Sequence, residues 1–119
     1  MSRRDDRTRL RHMLAHAEEA IEIARGHARA DLDSDRKRNL SLVRLLEIAG
    51  EAASRVSPEA RARLAAISWS DVIGLRNRLV HAYDRVDFDI LWDIVQYDLP
   101  PLVSELRKAL TQDEAEEGV

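Results

Sequence analysis

Apolar residues recur every three or four positions through most of this 119-residue chain, and that spacing is the pattern of amphipathic helices. It is clearest in the segment 34–56, where the apolar side chains would cover one broad face of a helix. We therefore predict that this helix lies centrally and contacts several others, with Gly50 allowing a neighbour to approach closely. The residues of the apolar face are Leu42, Leu45, Leu46, Ala49, Ala52, Ala53 and Val56.

The composition favours an all-α fold. The chain is 45% hydrophobic but only 4% aromatic, and its four Gly and three Pro are too few for the turns of a β-sheet protein. We predict an antiparallel, up-and-down bundle of four long helices plus one short helix. Pro100 and Pro101 should kink or break the last long helix. The predicted long helices cover residues 6–25, 34–56, 69–83 and 87–110, and the short helix covers 58–66.

Charge and cysteine content limit the partners and the cell compartment that the sequence predicts. The bundle is predicted to occupy residues 1–112, followed by a flexible acidic tail at 113–119. The net charge of -3 argues against non-specific nucleic-acid binding, although the arginine-rich body could still form a local basic cleft. Without cysteine, and without an apolar run near the ~18 residues of a membrane span, the sequence indicates a cytoplasmic protein with no membrane partner.

The segment 71–83 concentrates side chains that can carry chemistry between apolar spacers. His81 could act as a general acid or base near neutral pH. Arg76 and Arg78 have forked donors suited to phosphate oxygens, and Asn77 could orient the imidazole or bind a ribose hydroxyl. No metal-ligand motif accompanies them, so we expect neither metal nor cofactor. The pattern suits RNA cleavage in which the ribose 2′-hydroxyl attacks its own phosphate.

Helical geometry sets a problem for this segment. A continuous helix would place Asn77 beside His81 but would separate Arg76 from His81 by roughly 140°. Both could reach one phosphate only if the helix loosens near His81, or if a second copy of the chain supplies part of the site. Glu51 could pair with Arg76 or His81 and help to position substrate, or it could be an ordinary boundary residue. Alternatively, the whole segment could be a capped, salt-bridged helix end with a structural role and no catalytic one.

Arg76 and His81 form an R-x4-H pair, which Tyr83 extends to R-x4-H-x-Y. This motif resembles that of HEPN domains, and specifically of the HepT toxins from HEPN/minimal nucleotidyltransferase toxin–antitoxin pairs. Other parts of the chain resemble HepT segments in the same order. The segments that carry the resemblance are 9–14, 45–52, 74–83 and 98–100.

The resemblance implies the HEPN fold and a metal-independent endoribonuclease with Arg76 and His81 as catalytic residues, and tRNA as a candidate substrate. It implies a homodimer whose two motifs face a shared cleft. It also implies an antitoxin nucleotidyltransferase that transfers AMP from ATP to Tyr83, although spacing alone equally allows a buried structural tyrosine. Two other classes stay open: a catalytically silent HEPN module that binds a nucleotidyltransferase or a nucleotide, and a structural helical dimer.

Overall fold

The computed structural model describes residues 3–80 and 85–117, with side chains described up to residue 115. All regular elements in this part of the chain are helices, which confirms the all-α prediction. They are α1 (Arg3–Ala24), α2 (Asp31–Ser34), α3 (Arg36–Ser54), α4 (Pro58–Arg63), α5 (Trp69–Ile73), α6 (Leu75–Leu79), α7 (Phe88–Asp93), a π-helical turn (Ile94–Asp98) and α8 (Leu99–Glu117).

The central position predicted for the second long helix is confirmed, because α3 contacts α1, α2, α5, α6 and α7. The first helix, α1, packs along both α3 and α8. The four long elements are α1, α3, the α5–α6 pair and the run from α7 to α8, and α4 is the short helix. The largest fully buried side chains of this core are Leu10, Met13, Leu32, Leu42, Leu46, Leu79, Leu91, Ile94, Leu99, Leu106 and Val56.

Side-chain caps fix the starts of three helices. Asp35, Ser57 and Asp87 each accept a hydrogen bond from a backbone N–H in the first turn of α3, α4 and α7. Ser68 precedes α5 but makes no such bond, although the sequence Ser68-Trp69-Ser70-Asp71 has the pattern of a capping box. Its ψ angle of 76° differs from the extended backbone of a capping residue, such as Ser57 with ψ 152°.

The two prolines do not end the last long helix. A π-helical turn precedes them, in which the N–H of Leu99 donates to the carbonyl of Ile94, five residues back. Because Pro100 has no N–H, the widened turn accommodates the interrupted hydrogen-bond ladder before α8 continues. The same turn leaves the three consecutive residues 96–98 exposed, and Tyr97 is 72% exposed.

The last helix continues past residue 112, where the sequence placed the end of the bundle. Asp113 has only 14% of its side chain exposed and lies 3.5 Å from Arg3 and 3.9 Å from Arg63. Residues 113–117 are therefore helical, while the flexibility of the tail stays a prediction. Within the described ranges, no helix is long and apolar enough to cross a membrane.

Candidate functional site

The segment that carries the motif begins as helix but leaves the helical path early. Helix α6 ends at Leu79, and Val80 has extended backbone with φ -100° and ψ 122°. Val80 forms an isolated antiparallel bridge with Val86. The prediction of one helix as far as Tyr83 is therefore wrong, and the angular offset that such a helix would impose does not apply. His81 and Tyr83 lie outside the described residues.

The buried face of α5 and α6 fixes which motif side chains point outward. Val72, Leu75 and Leu79, at the i, i+3 and i+7 spacing of one helix face, are buried in the core. Arg76 and Asn77 are exposed on the other side.

A close helix contact places these exposed residues beside α3. A Cβ atom added to Gly50 of α3 would lie 2.9 Å from the carbonyl oxygen of Val72 in α5. Real Cβ atoms essentially never approach an oxygen so closely, so only glycine fits here without a shift. The close approach predicted for Gly50 is confirmed, and it sets α5 and α6 against the C-terminal half of α3.

A groove runs between α3 and the α5–α6 pair, with a cavity volume of about 620 Å³. This volume lies within the usual range for small-molecule sites. Arg76 and Asn77 form one side of the groove, together with Ile73 of α5. The side formed by α3 consists of Arg44, Glu47, Ile48, Gly50, Glu51 and Ser54.

Arg76 is available for a ligand. Its side chain is exposed, and no residue within 3–80 and 85–117 forms a hydrogen bond or ion pair with it. The side chain of Asn77 is likewise exposed and without a hydrogen bond in the described chain. A guanidinium is always charged and offers several N–H donors, so Arg76 can bind a phosphate without first breaking an ion pair.

Glu51 lines the same groove but does not pair with Arg76. Its carboxylate lies 3.0 Å from Arg55, one helical turn along α3. A partner at i,i+4 on the same helix is always within reach, and of the possibilities left open for Glu51, the pairing with Arg76 is not observed. The alternative pairing with His81 falls outside the described residues.

Arg78 points to a different surface. Its guanidinium lies 2.8 Å from the carboxylate of Asp98 in the π-helical turn. Both line a second groove of about 320 Å³, between α5–α6 and the π-helical turn with α8. Two residues along a helix amount to about 200° of rotation, which separates Arg78 from Arg76. The structure thus brings together Arg76, Asn77 and Glu51, but not Arg78.

Comparison with known proteins identifies the family. Residues 13–109 match the family model "Ribonuclease HepT-like", and this range contains the whole R-x4-H-x-Y motif, from Arg76 to Tyr83. The chain belongs to the HepT-like family. The resemblance seen in the sequence is therefore confirmed.

Relatives of this HepT-like chain align over most of its length. "Putative RNase MJ1380" of Methanocaldococcus jannaschii is 31% identical over 89% of this chain and 97% of its own. "Putative RNase TTE0752" of Caldanaerobacter subterraneus is 30% identical, covering 87% and 93%. "Probable ribonuclease HepT" of Thermococcus cleftensis is 33% identical, covering 76% and 86%. No solved structure gives a significant match.

Two groove residues of this HepT-like chain, on α3, belong to no motif. Arg44 and Glu47 lie on the same face of α3 as Glu51, at i, i+3 and i+7 spacing. That spacing was the available signal, but it is also the pattern of an ordinary solvated helix face. Among the described residues, no cluster of three or more His, Asp or Glu side chains could hold a metal ion.

Proposed function

We propose that this HepT-like chain is a metal-independent endoribonuclease with Arg76 and His81 as its catalytic residues. The observation that carries the proposal is the exposed Arg76 guanidinium, which borders a groove of nucleotide size and has no partner in the described part of the chain. Family membership and relatives named as RNases support RNA as the substrate.

The proposed reaction needs only groups of the RNA and of this chain. His81 takes the proton from the ribose 2′-hydroxyl as its oxygen attacks the adjacent phosphorus. The bond from phosphorus to the 5′-oxygen of the next nucleotide breaks, and the proton that His81 accepted from the 2′-hydroxyl is transferred to that leaving oxygen. The products are a 2′,3′-cyclic phosphate and a 5′-hydroxyl. Arg76 stabilises the negative charge that develops on the phosphorane.

The other motif residues position the RNA in this proposal. Asn77, next to Arg76 in the same groove, binds a ribose hydroxyl or orients the imidazole. Glu51 helps to position the RNA from the α3 side of the groove. Arg78 lies on a separate surface, where it pairs with Asp98. It would therefore contact only the part of the RNA strand that extends beyond the groove.

We further propose that the chain is the cytoplasmic toxin of a toxin–antitoxin pair, that it acts as a homodimer, and that tRNA is its substrate. Its antitoxin nucleotidyltransferase would transfer AMP to Tyr83. The added phosphodiester charge and adenosine would then oppose RNA binding. The HepT motif supports this part of the proposal. Incubation with the antitoxin, ATP and magnesium tests it by mass spectrometry, and a label found only on other residues would contradict the assignment of Tyr83.

Cleavage assays on purified protein test the nuclease activity. We expect Arg76→Ala and His81→Ala each to lower the rate by about 10²-fold or more, because each removes a transition-state interaction. EDTA should have no effect, and the products should carry a cyclic phosphate. Arg25→Ala is a suitable control, since Arg25 is an exposed arginine of the turn after α1 that pairs with Glu22.

Circular dichroism would establish that each variant is folded. Full activity of Arg76→Ala or His81→Ala would contradict the proposed mechanism, and so would loss of activity in EDTA. A wild-type protein that binds RNA or the nucleotidyltransferase but never cleaves RNA would identify a silent HEPN module instead.

A further inference from the structure

We propose that the α3 side of the groove binds the nucleobase next to the cleaved phosphate, and that Glu47 and Glu51 select guanine there over uracil. This inference rests on the proposed nuclease function. It adds a specificity subsite to that function, formed by side chains of α3 that lie opposite Arg76.

The charges of the groove separate a phosphate position from a base position. Arg76 lies on the α6 side, whereas Glu47, Glu51 and Arg44 lie on the α3 side. Arg44 is 3.6 Å from Glu47, and Arg55 is 3.0 Å from Glu51, whereas Arg76 has no ion-pair partner among the described residues. A phosphate is drawn to the unpaired guanidinium of Arg76 and repelled by the carboxylates. The backbone of a bound strand should therefore follow α6, and its base should point towards α3.

The carboxylate of Glu47 is free to accept hydrogen bonds. Only 28% of its side chain is exposed, and its nearest ion-pair partner, Arg44, is 3.6 Å away. That separation is too long for a hydrogen bond, and no described residue donates one to Glu47. A hydrogen bond from a ligand to a half-buried carboxylate with unused acceptor positions is more favourable than one to a fully solvated carboxylate.

The floor of the groove suits a flat ring. Ile48 of α3 and Ile73 of α5 are partly exposed and line it together with Gly50. A nucleobase lying on this apolar floor would bring its polar edge to Glu47 and Glu51.

The acceptors on α3 discriminate between bases by their hydrogen-bonding edges. Guanine presents two neighbouring donors, N1–H and the N2 amino group, which one carboxylate can accept together. Uracil presents a single N–H between two carbonyl oxygens, and these would face the carboxylates unfavourably. Cytosine and adenine each offer one amino group beside an acceptor, so they should fall between guanine and uracil.

Cleavage of matched RNA oligonucleotides tests the subsite. Four substrates would differ only in the base next to the cleaved bond, with product ends mapped for each. We expect wild-type protein to cleave the guanine substrate at least about 10-fold faster than the uracil substrate, the discrimination typical of a bidentate base contact. Glu47→Gln replaces one acceptor oxygen by a donor amide, so the ratio should fall by about 5-fold or more.

Two further variants make the result decisive. Glu51→Gln changes a side chain that is 65% exposed, and it should also lower the ratio of guanine to uracil cleavage rates. It replaces Glu47→Gln as the test if that variant does not fold. Glu22→Gln is the control, because Glu22 lies on α1 outside the groove, and it should keep both the rate and the ratio.

The possible outcomes separate the subsite from the nuclease itself. If wild-type protein cleaves no RNA, the proposed function fails, and the subsite with it. If it cleaves RNA with equal rates for guanine and uracil, only the subsite is overturned. It is also overturned if Glu47→Gln and Glu51→Gln both keep the wild-type ratio.

Discussion

Replacing Gly50 by alanine tests whether the α3–α5 contact holds the candidate site in place. The added Cβ atom would lie 2.9 Å from the carbonyl oxygen of Val72 and 3.6 Å from that of Ile73. Both oxygens belong to the backbone of α5, so neither can rotate away as a side chain would. Helix α5 must therefore move away from α3, and α6 with Arg76 must follow.

Two opposing contributions set the change in the free energy of unfolding. Alanine is favoured over glycine inside a helix by up to ~1 kcal/mol. Overpacking against a rigid neighbour costs about 1–3 kcal/mol. We expect a net destabilisation of roughly 1 kcal/mol, equivalent to a fall in Tm of about 4 °C for a domain of this size. Because displaced catalytic groups lose rate steeply, cleavage should fall by about 10-fold.

Ser41 provides the matched control, since it is an exposed residue of the same helix. Comparing Ser41→Gly with Ser41→Ala by thermal denaturation measures the intrinsic preference of α3 for alanine, which should be up to ~1 kcal/mol. If Gly50→Ala stabilises the protein by this same amount and cleavage is unchanged, α3 and α5 do not meet as closely as described.

Two further predictions concern a buried carboxylate, Asp6, and the carboxylate of Asp31 at the start of α2. Asp6 is buried and accepts hydrogen bonds from the N–H and hydroxyl of Ser57 at 2.8 and 2.7 Å. Asp6→Ala should therefore lower the unfolding free energy by about 2–4 kcal/mol in denaturant titrations. A loss below ~1 kcal/mol would contradict this prediction. The backbone N–H of Ala28, and then His27, hold the pKa of Asp31 below its ordinary value. The ionised Asp31 carboxylate should therefore stabilise the fold above about pH 4, and this stabilisation should be lost as the pH falls through the folded-state pKa. In urea titrations, the unfolding free energies of Asp31→Asn and wild type should differ less at about pH 3 than at about pH 6. A larger difference at the lower pH would refute the prediction.

Local sequence signals predicted the helices well because they act over a few residues. Ser57 before Pro58 and Asp87 before Phe88 cap α4 and α7, and such caps can be read from the sequence because a capping side chain needs only the next turn. The apolar spacing of α3 likewise predicted its central position. The end of α6 at Leu79 could not be predicted in this way, because Val80 pairs with Val86, a residue outside the reach of any helical period.

Apart from Glu51 of α3, the candidate site was predicted only where one segment carries it. Arg76 and Asn77 stand together in the motif, so the sequence alone marked them as candidates. Glu47 belongs to the site only because α5 and α6 pack against α3 across Gly50. On its own helix it is an ordinary charged residue. Arg78 was grouped with Arg76 for their shared chemistry, but helical rotation turns them towards different grooves.

The packing of α1 against α8 has a consequence for how the protein is made. The apolar face of α1 leaves the ribosome well before α8, the helix that covers part of it. Domains fold as units, so the core cannot close until α8 has been translated. Helices α3, α5 and α6, which form the groove, emerge before that point. We therefore expect the nascent chain to be inactive until α8 has emerged from the ribosome.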